Sequence, residues 1–150
     1  MTKRIFKSIF LAAFCVLLAS LVIITGCLYE YYSKTFENQM RDELDLAAAA
    51  VDISGSGYLK AIAPSGYRLS LIDKNGKVLY DTVQDADTLA NHADRDEVKQ
   101  ALENGDGSST RYSSTLLKKT TYIAKKLGNG NILRISSSRA TRSEERRVGK

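Results

Sequence analysis

Residues 8–29, SIFLAAFCVLLASLVIITGCLY, run for 22 positions without a charge, and this stretch constrains the chain more than any other. A helix rises about 1.5 Å per residue, so about 20 apolar residues cross a hydrocarbon core of about 30 Å. Twelve of the 22 are Ile, Leu, Val or Phe. Each contributes about −0.3 to −0.6 kcal/mol near a membrane centre, giving an upper bound of about −4 to −7 kcal/mol for the set. Lys3, Arg4 and Lys7 precede the run with no acid among them, whereas Glu30, Lys34, Glu37, Arg41 and Asp42 follow as a mixture. Basic residues stay on the cytoplasmic side, so the expected orientation has the amino terminus inside and everything after Tyr29 outside.

The run is longer than the apolar region of a cleaved signal, about 7–15 residues, and no A-x-A-like site closes it. Ile24-Thr25-Gly26-Cys27 resembles a lipobox, which makes lipidation at Cys27 the alternative to an uncleaved anchor. The expected division is a basic flank at 1–7, a transmembrane anchor at 8–29, an exit helix at 30–53, an extracytoplasmic domain at 54–138 and a disordered or foreign tail at 139–150. Cys15 and Cys27 both lie in the span. Twelve residues of helix separate them by about 18 Å, too far for a disulfide within one chain.

The net charge of +5 does not mark a nucleic-acid binder. Three positive charges precede the span and a net three lie in the tail, which leaves the body at about −1, without the basic footprint that phosphate backbones require.

Beyond the membrane, Leu28, Tyr32, Phe36, Met40, Leu44, Ala47 and Val51 recur every three or four residues, the rhythm of a helix with one apolar stripe. That stripe needs a partner, either a sheet of its own domain or the same helix in a second copy. Ala12, Cys15 and Ala19 are small residues on nearly one face of the span, where two helices can approach closely. The expectation is a parallel homodimer through residues 12–44, with the sheet domain on the opposite side of the stalk.

Ser54-Gly55-Ser56-Gly57 ends the helix, and Pro64 and Gly66 punctuate the next connection. The period then becomes two. Residues 67–72 and 77–81 form a hairpin about Asp73-Lys74-Asn75-Gly76, whose Asn-Gly tolerates positive φ. Asp94 and Glu97 have the spacing of a capping box opening a short helix with Val98, Ala101 and Leu102 as its buried face. The Gly-rich stretch Gly105-Asp106-Gly107 is expected as a turn, and strands follow at 109–114, 120–127 and 131–137. The expected fold class is α+β, with a transmembrane helix continuing into a long helix, then an antiparallel sheet of about five strands.

Arg68-Leu-Ser-Leu-Ile-Asp, Gly76-Lys-Val-Leu-Tyr-Asp, Asn91-His-Ala-Asp-Arg-Asp-Glu-Val, Gly107-Ser-Ser-Thr-Arg-Tyr-Ser and Thr121-Tyr-Ile-Ala, in this order after a basic-flanked anchor, resemble the extracytoplasmic sensor region of membrane-bound sensor histidine kinases, particularly the phosphate-regulon type. The resemblance implies a PAS-like or Cache-like sheet, a dimer, a second span, then a phospho-acceptor helix pair and an ATP-binding domain. The chain carries neither of those last two elements, and His92 falls outside the membrane, away from any ATP. The expectation is an amino-terminal fragment of such a kinase, inactive as an enzyme by itself. The alternative is a membrane-tethered or lipoprotein binding module without kinase output.

No catalytic constellation, metal-ligand spacing or phosphate-cradling loop emerges, so no catalytic residue, metal or cofactor is assigned. Asp81, Asp85, Asp87, Asp94 and Asp96 lack EF-hand spacing and fit a solvated acidic loop. His92, Arg111, Tyr112, Tyr122 and Arg134 are the candidates for a ligand pocket against the sheet. The expected partners are the membrane, a second copy of the chain, and a small ligand or an extracytoplasmic protein.

Overall fold

The computed structural model describes residues 2–61, 67–113 and 118–138. The expected tail at 139–150 and the Pro64–Gly66 connection lie outside the described residues. The chain divides into two units, Met1–Asn38 and Gln39–Lys150. Helix α1 (Thr2–Ser54) is one uninterrupted α-helix of 53 residues. It contains the single stretch, among the described residues, long and apolar enough to cross a membrane, with mean hydropathy 2.7. In the first unit its apolar side chains, from Ile5 to Tyr32, are exposed.

The second unit is built on a five-stranded sheet. A short helix α2 (Gly57–Ala61) follows α1, where the sequence suggested only a turn. Strands β1 (Arg68–Ile72) and β2 (Val78–Asp81) form the expected hairpin. A 3₁₀ turn at Ala86–Thr88 and helix α3 (Asp96–Asn104) fill the crossover to β3 (Asp106–Ser113). Strands β4 (Lys118–Lys126) and β5 (Ile132–Ser138) complete the order β2-β1-β5-β4-β3, with every neighbouring pair antiparallel. The outcome is the expected α+β fold.

Alternation along the strands gives the sheet two unlike faces. Leu69, Leu71, Ile123, Leu133 and Ile135 form one, and all are buried. Met40, Leu44, Ala47, Ala48 and Val51 of α1 are buried on the same side, where Leu44 and Ile123 line one cleft and Val51 and Leu71 line another. Lys125 Nζ to Asp45 Oδ1 at 2.7 Å and Gly128 N to Asp52 Oδ1 at 3.2 Å fix the register of helix on sheet. The Asp45 carboxylate raises the pKa of Lys125 from its ordinary value.

The apolar stripe is thereby split. Its outer half, from Met40 onward, is consumed within the protomer, while Leu28 and Tyr32 stay exposed. A stalk dimer through residues 12–44, with the sheet on the opposite side, is not what Met40 and Leu44 are built for.

On the second face, Ile72, Val78, Ala124 and Ile132 pack with Val98 and Ala101 of α3. Gly107 lies inside β3 rather than in a turn, and the reason is steric. A Cβ at this position would overlap the backbone of Glu97 and Ala101. The glycine lets α3 settle directly onto the strand.

Candidate functional site

Charged residues interrupt the second face next to its apolar half. In β5, Arg134 stands between Leu133 and Ile135 and pairs in register with Ser70 of β1 and Ala124 of β4. Its neighbours commit it to the interior, where it is 3 % exposed. Glu97, fully buried at the start of α3, meets it there. Arg134 Nη1 donates to Glu97 Oε1 at 3.3 Å, and Arg111 of β3 grips the same carboxylate at both oxygens, at 2.6 and 2.9 Å. Ser109 Oγ adds a bond at 2.7 Å. Burial pushes the Glu97 pKa up, but the bonds from Arg111 and Ser109 overcome it and hold the group at about 2. Arg111 is raised in return, chiefly by its bond to Glu97.

The network continues laterally. Arg134 Nη2 donates to Ser70 Oγ at 3.1 Å, Ser70 Oγ donates to Asp81 Oδ2 at 2.7 Å, and Arg68 Nε reaches both oxygens of Asp81 at 2.9 Å. Arg68 Nη2 ends the series on Gln84 Oε1 at 3.0 Å. Burial raises the Asp81 pKa, yet the bonds from Ser70, Val83, Arg68 and Gln84 leave it below its ordinary value. Asp81 is therefore an interior ion-pair partner and not part of a solvated acidic loop. The other aspartates scatter: Asp85 caps the 3₁₀ turn and Asp94 approaches Lys99 at 3.6 Å. Among the described residues no three metal-ligating side chains gather.

The expected capping box does not form. The residue preceding α3 is Arg95, without a side-chain cap bond. Glu97 instead turns inward to two guanidiniums, and a carboxylate with two charged donors gains more there than from one backbone N–H at a helix end.

Above this network lies a cavity of about 250 Å³. All five sequence candidates, His92, Arg111, Tyr112, Tyr122 and Arg134, line it. Arg68, Gln84, Leu89, Ala90 and Arg95 line it as well and were not singled out from the sequence. The aromatic wall is engaged by cations, with Arg111 Cζ 3.9 Å and Arg134 Cζ 5.4 Å from the Tyr122 ring centroid. The β1–β2 turn holds the His92 loop in place: His92 N donates to Gly76 O at 2.7 Å, and Asn91 Nδ2 to Asn75 O at 2.9 Å. Two buried side-chain atoms of lining residues have no hydrogen-bond partner, His92 Nδ1 and Arg134 Nε. Leaving such a group unsatisfied costs about 1–3 kcal/mol. Burial first, then the nearby Arg134 and Arg95 charges, lower the His92 pKa to about 4, so the ring is neutral at pH 7. Burial likewise lowers that of Arg134, against the pull of Glu97.

Cys27, the lipidation candidate, is an exposed free cysteine of α1 in the first unit.

No protein-family model matches the chain, and no curated protein matches it either. Solved structures do. The chain is similar to the extracellular domain of rpHK1S-Z16, assigned as a histidine kinase, with TM-score 0.45 and 15 % identity over 61 % of this chain and 39 % of that one. It is also similar to the Bacillus subtilis YkuI protein, which has an EAL domain and was solved with cyclic di-GMP and calcium, with TM-score 0.43 and 11 % identity over 71 % of this chain and 35 % of that one. The chain thus spans well under half the length of either structure.

Proposed function

We propose that this chain is the signal-input region of a membrane-bound sensor histidine kinase, with the sheet domain outside the cell. The observation that carries the reading is a ligand-sized cavity in a sheet domain whose own helix, α1, is the same helix that contains the membrane-spanning stretch. The ordered motifs from Arg68 to Ala124 and the basic flank before the span support it. A ligand or partner shifts the sheet domain between two packings, and α1 carries the shift toward the membrane. The ligand moves that equilibrium only by its differential affinity for the two states. The PAS-like or Cache-like assignment and the homodimer belong to this reading, as does the absence of a bound cofactor.

The complete reading frame that encodes the chain tests the proposal. A second span, a phospho-acceptor helix pair and an ATP-binding domain are expected downstream. A reading frame that closes on the sheet domain overturns it and leaves a membrane-tethered binding module.

A further inference from the structure

We infer that the cavity between β1, β3–β5 and the His92 loop is a binding site for a small dianionic oxyanion, a dicarboxylate or a phosphate. This deepens the input-region reading and rests on it for its biological meaning, though not for its chemistry.

The argument begins with charge. Arg68, Arg95, Arg111 and Arg134 all line the cavity, and none of its described lining residues is acidic. Two carboxylates lie beneath them, Asp81 and Glu97. Glu97 is shared, because Arg111 and Arg134 both bind it. Four guanidiniums over two carboxylates leave an excess of two positive charges facing one small space. Water can fill the cavity, about eight molecules at roughly 30 Å³ each. Water cannot neutralise that excess; a dianion can.

The second observation is independent of the charge count. Arg134 is 3 % exposed and His92 6 %, yet Arg134 Nε and His92 Nδ1 lack partners. A guanidinium N–H and a neutral imidazole in its Nδ1–H tautomer both donate. Arg134 Nε–H is an unused buried donor on a residue that lines the cationic cavity, and an acceptor-only ligand is its complement. Size sets the remaining limit. A volume of about 250 Å³ falls below the range of roughly 300–1,000 Å³ typical for drug-sized ligands, so a molecule of a few heavy atoms is indicated. Leu89 and Ala90 on the wall accommodate a short carbon chain.

The test is calorimetric titration of the full chain in zwitterionic detergent and Tris chloride, with succinate, inorganic phosphate and uncharged succinamide as probes. Saturable binding of succinate or of phosphate, with Kd below about 1 mM and no response to succinamide, is expected. Saturation by succinate alone assigns an organic acid, and by phosphate alone an inorganic anion; either supports the site. Arg134→Gln is expected to weaken binding roughly tenfold or more. Because Arg134 is buried, Arg95→Gln at the exposed rim provides a variant that stays folded, with a loss of roughly three- to fivefold. Absence of saturation by both dianions, or an affinity that Arg95→Gln leaves unchanged, overturns the inference. Either result leaves the input-region reading intact, since that is decided by the reading frame. A reading frame without a kinase leaves the anion site intact.

Discussion

Arg134 and Glu97 show what a single residue can reveal and conceal. An arginine within Ile132-Leu-Arg-Ile-Ser occupies the middle of a buried strand, and a buried guanidinium requires an anion. The need was legible; the partner was not. Glu97 comes from a helix 37 positions away, and its spacing from Asp94 suited a local cap equally well. Proximity across a sheet edge carries no signature in spacing along the chain. Period two puts Arg111 and Tyr122 on one face, which makes both legible by strand position. Adjacent Tyr112 alternates to the other side and lines the cavity for a reason periodicity does not give, and Arg68 and Asp81 look like the ordinary ends of a hairpin.

The charged interior also dictates how the protein responds to acid. His92 has its pKa lowered from 6.5 to about 4 and faces Arg134, Arg95 and Arg68, with Glu97 as the opposing carboxylate. The unfolded chain takes up the His92 proton as pH falls below 6.5 and the folded chain does not, so stability is lost between about pH 6.5 and 4. Glu97, lowered from 4.5 to about 2, adds a second loss between those values in the same direction. Thermal unfolding of the full chain followed from pH 7.5 to 3 is expected to show a falling Tm throughout. In His92→Gln the upper part of the decline flattens while the lower part remains. A variant that retains the full slope above pH 4.5 would remove His92 from the explanation.

At the scale of elements, the Asn75-Gly76 turn does more than reverse the chain. Gly76 adopts φ +84°, and a Cβ there would overlap Ala93 N and Asn91 Oδ1. The turn was legible because Asn-Gly between alternating strands is a strong local signal. That it also braces the loop bearing His92 was not, because that contact joins segments 16 residues apart. Gly76→Ala combines a left-handed backbone with a collision against main chain, two of the mechanisms behind large losses of stability. We expect at least about 2 kcal/mol, read as a shift in the denaturant midpoint, with impaired anion binding in the fraction that remains folded. A substitution costing under about 0.5 kcal/mol would show that the loop yields freely.

Over the whole molecule, hydrophobic length defines the apolar part of α1, and the change from a period near 3.6 to a period of two defines where the sheet begins. The partner of the apolar stripe was the unresolved choice, since a stripe specifies only that something must cover it. Met40 and Leu44 are fully or almost fully buried by the sheet. Leu44→Ala is therefore expected to cost about 2–5 kcal/mol in the unfolding of the domain, with no dependence on protein concentration. Single cysteines along 40–51, in a background lacking Cys15 and Cys27, are expected to resist cross-linking between copies at the buried positions. Efficient cross-linking at positions 40 and 44 would instead place that stripe between two protomers.

The two unlike faces of the sheet carry a consequence for how such a domain diversifies. One face is hydrocarbon and meets α1; the other holds the cationic cavity, and a full strand layer stands between them. Arg68 and Arg134 leave the strands on the face opposite to Leu69, Leu71, Leu133 and Ile135, so their side chains and those of the helix side have separate partners. A lineage can exchange guanidiniums for other chemistry, and so retune what is recognised, without renegotiating the joint between sheet and helix. Specificity and linkage are inherited as separate traits on opposite sides of one sheet.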